Sequence, residues 1–403
     1  MIIEFSVTNY RSFKETQTFS IVAGNYTQHT ETNSFDPKVE GIDKRLLCSA
    51  AIYGANAAGK TNLLRSIHLM QWFVLNSANP IKNTLHDPFK FSASTRNAPS
   101  TFVITFIHNK ILYEYRFSLG PSNKIEEERL IEFLDQDEHI VFERTFNKST
   151  QEYDWNFPHL EGNWTTWKES TRQDALFLTI AYQLNSKQLA PVFEWFHKFL
   201  VVSISGTASL NPSMTIDMLK EPESKEILLS FIQEADFGVT DLEINRDSVA
   251  LGTTPKITFS HFSDDENYST LDLTEESHGT QRFFQIAGAW KNVIKHGVTL
   301  LVDEIESSFH PQLVRFLIKK FHSEENSKNA QLVFTTHSTE LLDEELLRRD
   351  QIWFVEKERF DEPNQIDMSK LYPLSDFKPR DGESLQQKYL QGRFGALPII
   401  DQS

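Results

Sequence analysis

A mixed α/β chain organised on parallel strands is what this sequence predicts, on three grounds. Residues 46–53 form an apolar run that ends in Gly54, and Leu63, Leu64, Ile67 and Met70 then recur at helical spacing, giving strand, glycine turn and helix. Beyond Thr270 the pattern alternates: helix over 279–294, buried strand 298–302, helix 312–321, strand 331–335. Such alternation implies parallel strands joined by crossover helices. Between these halves lies a succession of β-rich and helical stretches, which reads as an α+β insertion.

The chain opens with Ile3, Phe5 and Val7 on one side and Glu4, Ser6 and Thr8 on the other, the period of a half-buried strand; 18–22 is its expected partner. Residues 101–119 predict two strands hinged at His108-Asn109-Lys110, with more strand through 140–146. Leu176, Phe177, Ile180 and Leu184 share one helical face within 174–200, 225–235 is a second helix, and Phe237-Gly238-Val239 returns to strand. No heptad series is sustained, so a long coiled-coil arm is not expected.

Composition narrows the function. Of 403 residues, 40 are Lys or Arg and 56 Asp or Glu, a formal net charge of −16 that argues against coating nucleic acid by charge alone, though a local basic patch is compatible with it. Hydrophobic residues at 39%, with 32 Phe and 7 Trp, suffice for a sizeable core and exclude wholesale disorder. The single cysteine, Cys48, excludes a disulfide framework and suits a reducing, cytoplasmic setting. The N-terminus lacks the basic and apolar regions of a secretory signal, and no apolar run approaches the roughly 18 residues of a membrane span.

Gly54-Ala55-Asn56-Ala57-Ala58-Gly59-Lys60-Thr61 has the pattern of a phosphate loop. Glycines at both ends let the backbone amides and a helix N-terminus face an anion, Lys60 neutralises β and γ phosphates, and the Thr61 hydroxyl reaches Mg²⁺. ATP and Mg²⁺ are the cofactors this implies. Downstream, Asp303 and Glu304 end the buried strand 298–302, where a carboxylate stands at the ligand crevice of a parallel sheet. Asp303 is suited to holding the metal's water shell, and Glu304 to orienting and deprotonating an attacking water. His337 ends the next strand and is placed to sense the γ-phosphate or hold that water. Ser277 and Gly279 open the helix before the acidic strand, with Gln281 two positions on, a second anion site without a lysine.

The order of these elements, with Asn9-Tyr10-Arg11-Ser12-Phe13 at the start, resembles the ABC-type ATPase heads of the RecF and SMC class. More closely, the chain resembles the bacterial phage-defence ATPases of the RloA and AbiLi (abortive infection) type. That likeness extends to Leu176-Phe177-Leu178, Ala235-Asp236-Phe237-Gly238, residues 276–282 and the tail 389–398, and so covers nearly the whole chain. It implies a P-loop NTPase fold of ABC/SMC-head type: a two-lobed mixed sheet with an α+β insertion between phosphate loop and signature motif. It also implies a head-to-tail homodimer in which Ser277 and Gly279 of one copy complete the nucleotide site of the other. ATP turnover would then control a separate effector, a nuclease encoded nearby, during phage infection. The RecF likeness implies, as the alternative, a DNA-repair or DNA-end-sensing ATPase.

Three departures stand out. His278 and Ala57 replace glycines common in transporters of this class. No Gln lies between Gln71 and Gln136, so 86–92 is the expected stand-in for the glutamine loop. Glu306-Ser307-Ser308-Phe309-His310-Pro311 follows the acidic pair without the aspartate of the transporter D-loop. Lobes over 1–120 and 265–403 are expected, with 121–264 inserted. The aromatic cluster from Tyr153 to Trp167 reads as strand packing. His108, His139, His159 and His197 lack metal-ligand spacing.

Overall fold

The computed structural model describes residues 1–134, 137–204, 210, 212–245, 256–263, 268–307, 309–358, 367–377 and 382–398. The sheet that carries the chemistry runs in the order Leu200–Ser203, Thr299–Val302, Gln331–Thr335, Ser49–Tyr53, Ile352–Glu358, Met368–Pro373. Its first five strands are parallel and the last is antiparallel. Ser49–Tyr53, Thr299–Val302 and Gln331–Thr335 are buried at every residue, as strands covered on both faces must be. Side chains alternate along Ser49–Tyr53, so Ala50 and Ile52 enter one core while Ala51 and Tyr53 enter the other.

The first core is closed by an antiparallel sheet in the order Glu152–Asn156, Asp137–Asn147, Ile125–Leu134, Ile111–Leu119, Ser100–His108, Ile2–Thr8, Gln17–Ser20. The helices Lys60–Asn76 and Ala190–Lys198 lie against its apolar face, where Phe73 meets Phe117 at 5.7 Å and Trp195 stacks on Phe106 at 4.1 Å between ring centroids. The second core holds the helices His278–His296 and Pro311–Phe321. This is the two-lobed P-loop architecture expected, with strands from both ends of the chain in one mixed sheet. No helix among the described residues is long and apolar enough to cross a membrane.

Three local expectations are refined. The run 46–53 breaks at Cys48: Leu46–Leu47 pairs with Ser34–Phe35, and only Ser49–Tyr53 joins the parallel sheet. The helical stretch 174–200 is two helices, Phe177–Gln183 and Ala190–Lys198, because Asn185 turns left-handed at φ 66°. The 101–119 hairpin turns on Asn109 and Lys110 at φ 50° and 63°, the primed geometry that matches strand twist. Residues 121–264 contribute Ile125–Leu134, Asp137–Asn147 and Glu152–Asn156 to the antiparallel sheet and Leu200–Ser203 to the parallel one. A boundary at 120 thus falls between two neighbouring strands of one sheet. A boundary at 264, a residue outside the described ones, falls between Lys256–Phe262 and Tyr268–Asp272, which also pair.

The Leu176-Phe177-Leu178 motif has a structural explanation. Glu128 and Arg144 form a fully buried ion pair at 2.7 Å. The Glu128 carboxylate accepts the backbone N–H of Phe177 and Leu178, at 2.7 and 3.0 Å. Thr179 then donates to the Val74 carbonyl at 2.7 Å, tying this short helix to the end of Lys60–Asn76. Removing either charge leaves the other buried and unpaired, a loss of about 3–5 kcal/mol.

Candidate functional site

Residues 54–59 wrap from the end of Ser49–Tyr53 to the start of Lys60–Asn76. Both glycines are sterically required. A Cβ on Gly54 would sit 2.2 Å from the Val355 carbonyl oxygen. Gly59 adopts φ 117°, and a Cβ there would sit 2.6 Å from Ser369 Oγ and 2.8 Å from Ser12 Oγ. Ala57 takes φ 61° without glycine's freedom, a strain of about 1–2 kcal/mol. Lys60 is buried; its Nζ donates to the carbonyls of Gly54 at 2.7 Å and Ala55 at 3.2 Å and to His337 Nε2 at 3.1 Å. Burial lowers its pKa to about 8, against the opposing pull of Asp303, Glu304 and Glu306.

The acidic pair and the histidine arrive from the two neighbouring strands. Asp303 is buried just past Thr299–Val302, and its Oδ1 accepts from Thr335 Oγ1 at 2.6 Å. The same Thr335 oxygen accepts the Glu304 N–H at 2.7 Å, which holds Glu304 in a left-handed conformation at φ 47° with its side chain exposed. His337 follows Gln331–Thr335, and its N–H donates to Glu306 Oε1 at 2.5 Å. Burial and the neighbouring Lys60 hold the His337 pKa below its ordinary value despite the nearby carboxylates, so the ring is neutral near pH 7. A protonated lysine can only donate, so Nε2 accepts and the ring proton sits on Nδ1. Glu304 Oε1 lies 3.9 Å from that Nε2. One cavity of about 320 Å³ is lined by residues 55–62, Arg65, Glu304 and His337.

A family model matches residues 49–343, from the strand before the phosphate loop to beyond the histidine strand; the family is described as "AAA domain, putative AbiEii toxin, Type IV TA system". The chain belongs to this family. The kinship with abortive-infection ATPases expected from the sequence therefore holds at family level. Among curated proteins none matches. Solved structures similar to the chain include the SMC head domain from Thermotoga maritima, at 12% identity over 92% of this chain and 98% of that one, TM-score 0.46. An SmcHead bound to the C-winged helix domain of ScpA has 12% identity, coverage of 93% and 98%, and TM-score 0.48. An Smc head with an extended coiled coil, bound to the C-terminal domain of ScpA derived from Pyrococcus furiosus, has 12% identity, coverage of 98% and 99%, and TM-score 0.44.

Within this family member the donor set suits magnesium. Thr61 supplies a hydroxyl at the cavity, whereas Asp303 is buried and does not itself line it; a carboxylate acting through water matches an ion that keeps most of its shell as water and phosphate oxygen. No cluster of three or more His, Cys, Asp or Glu able to cage a metal occurs among the described residues. A cavity of about 710 Å³ elsewhere, among the helices Ser213–Met218, Pro222–Glu234 and His278–His296, is larger but lined mainly by apolar atoms. The phosphate-loop cavity is where Lys60, Arg65, Glu304 and His337 converge on the phosphate-loop backbone.

Ser277, Gly279 and Gln281 do not line that cavity. Ser277 caps His278–His296, accepting the Thr280 N–H at 3.1 Å, and is exposed. Gln281 turns back to the Glu276 and Thr274 carbonyls at 2.8 and 3.3 Å. A Cβ on Gly279 would meet only Ser277 Oγ at 3.7 Å, an ordinary contact, so its own chain does not require glycine there.

Other groups enter that the motif reading passed over. Thr335 bridges both acids, and Glu306 fixes the His337 backbone. Ser12 Oγ accepts from Asn62 at 2.9 Å, and Ser369 donates to the Ala58 carbonyl, so two distant serines clamp the phosphate loop. Asn9 accepts the Phe89 N–H, and Arg11 pairs with Asp87 at 2.9 Å; the opening motif therefore anchors 86–92, none of which lines the cavity. The tail also returns to the loop. Ala396, Leu397 and Pro398 line a cleft with residues 55–58, held there by the Ala396 N–H on Glu356 Oε1 at 3.0 Å and by Phe394 packed on Phe354 and Phe377. Ser308 lies outside the described residues.

Proposed function

We propose that this chain binds Mg-ATP at the phosphate loop, closes as a head-to-tail homodimer around it, and hydrolyses it to ADP and phosphate. The observation that carries this reading is the split between two helix N-termini. One chain gathers Lys60, Thr61, Glu304 and His337 around a single cavity, while Ser277 and Gly279 stand outside it. A triphosphate would draw the Lys60 ammonium from the Gly54 and Ala55 carbonyls onto its β and γ oxygens. Glu304 would accept the proton of the attacking water, and the neutral His337 Nε2 would hold that water or read the γ-phosphate. Magnesium, when bound by Thr61 and through water by Asp303, supplies charge neutralisation at the phosphates. The partner's Ser277 hydroxyl and helix amides would complete the γ-phosphate's shell.

Mixing Lys60→Ala subunits with Ser277→Arg subunits tests this. Each is expected to be inactive alone, and the mixture to regain turnover at the one intact composite site. Two folded variants that fail to complement would overturn the shared site.

The same reading extends to biology. Turnover would regulate a separate effector, a nuclease, in cytoplasmic anti-phage defence, a role supported by the family's toxin–antitoxin description. ATP-dependent co-purification with a neighbouring gene product, and phage-triggered growth arrest lost in Lys60→Ala, are the expected results. Salt-dependent DNA binding strengthened by ATP would point instead to a DNA-sensing ATPase.

A further inference from the structure

Arg65 is the second cation of the phosphate-loop cavity, and among the described residues its side chain has no hydrogen bond or ion pair. Arg11, the arginine that the opening motif singled out, is committed: its Nε pairs with Asp87 Oδ2 at 2.9 Å and its N–H donates to the Asp87 carbonyl at 2.9 Å. Arg65 is exposed on Lys60–Asn76, four positions after Thr61 and three after Asn62. Residues at those spacings share a helix face, and long helical side chains lean back toward the N-terminus. Arg65 therefore reaches over Thr61 and Asn62, about 6 Å along the axis from Thr61.

The cavity has a direction. Glu304 and His337 mark its γ-phosphate end, beside Lys60. Asn62 and Arg65 line the same cavity from further along the helix; with Lys60 serving the β and γ oxygens and Thr61 the metal, the α-phosphate is the one left for them. The Asn62 side-chain amide is already donated to Ser12, which leaves that phosphate without a side-chain partner from Asn62. A guanidinium is the group best suited to fill the gap, since it presents paired N–H donors to phosphate oxygens.

Building on the nucleotide-binding reading above, we infer that Arg65 is a further binding residue that holds the α-phosphate of the nucleotide by charge and paired hydrogen bonds.

Titration calorimetry in the Glu304→Gln background, which keeps ligands unhydrolysed, tests the assignment with ATP, inorganic tripolyphosphate and pyrophosphate. Arg65→Gln is expected to weaken ATP and tripolyphosphate by about 10- to 100-fold, the worth of a hydrogen bond to a charged group. Pyrophosphate, which needs only the β and γ positions, should bind as before, and Arg65→Lys should recover part of the loss. The unliganded melting temperature should hardly move, because among the described residues the exposed Arg65 side chain has no hydrogen bond or ion pair to lose. Equal ATP affinity in Arg65→Gln would overturn the assignment. Loss of ATP with tripolyphosphate unchanged would also overturn it, because the contact would then be to the base. A parent protein that bound none of the three ligands would overturn the nucleotide-binding reading itself, and this one with it.

Discussion

Two helix N-termini in this molecule are suited to anions, and they are finished in opposite ways. Lys60–Asn76 starts at a left-handed Gly59 with no side-chain cap, enclosed by Ser12 and Ser369 and provided with a lysine. His278–His296 starts at an exposed serine that caps the helix, two residues before a glycine where a Cβ would make only an ordinary contact. The first can hold a polyanion from within one chain. The second, with no cation among residues 277–281, can complete only an anion that something else holds. On the proposed reading, the contrast separates the residues that bind the nucleotide from those that would join two copies around it.

The largest effect expected is on Glu304→Gln. Removing a positioned base lowers turnover by about 10²- to 10⁴-fold, while ATP binding persists and dimer accumulates on size exclusion. Ser277→Arg should also abolish turnover yet leave ATP binding by the monomer intact, whereas Lys60→Ala should lose both. If Ser277→Arg lost monomer binding too, the division of labour between the two ends would collapse.

Next is Thr335→Val. One hydroxyl satisfies a buried Asp303 oxygen and the Glu304 N–H, so its loss should cost about 1–3 kcal/mol in urea unfolding and slow turnover by releasing Glu304 from its left-handed position. A variant with unchanged stability and rate would show that the acids are held otherwise.

The glycines of His278–His296 sharpen the contrast further. A Cβ on Gly288 would lie 2.4 Å from the Thr215 backbone nitrogen, so Gly288→Ala should destabilise the fold by about 1–3 kcal/mol. Gly279→Ala has no such clash within the chain and should fold as well or better, by up to about 1 kcal/mol from helix propensity, while impairing turnover in the dimer. Thermal melts paired with rate measurements would separate the two.

The smallest effect is on pH. Phosphate binding needs charged Lys60, whose pKa in the free protein is lowered to about 8. Below that value the lysine is already protonated, and its contribution to affinity is constant. Above it, binding must take up a proton, so affinity should fall by up to about tenfold per pH unit. Calorimetry at rising pH measures this, and a flat profile well above pH 8 would mean that the lysine is not desolvated as the geometry indicates.

Sequence alone determined the parts of this protein whose signal is local. The phosphate loop, the acid-ended and histidine-ended strands and the serine-capped helix each declare themselves within a few residues, through turn chemistry and hydrophobic period. Tertiary structure decided which of them meet. Thr335 and Asp303, 32 positions apart, become neighbours only because their strands lie side by side in a parallel sheet. Ser369 reaches Ala58 across 311 positions, and the tail folds back beside the loop, because the last strand of the sheet returns antiparallel next to the strand flanking the loop. Arg65 belongs to no motif of the sequence; the pairing of Arg11 with Asp87 and of Asn62 with Ser12 leaves it, among the described residues, as a cavity cation whose side chain has no hydrogen bond or ion pair. Periodicity records which face of an element is buried, but the partner across a crossover connection is set by sheet order, which no short window of sequence contains.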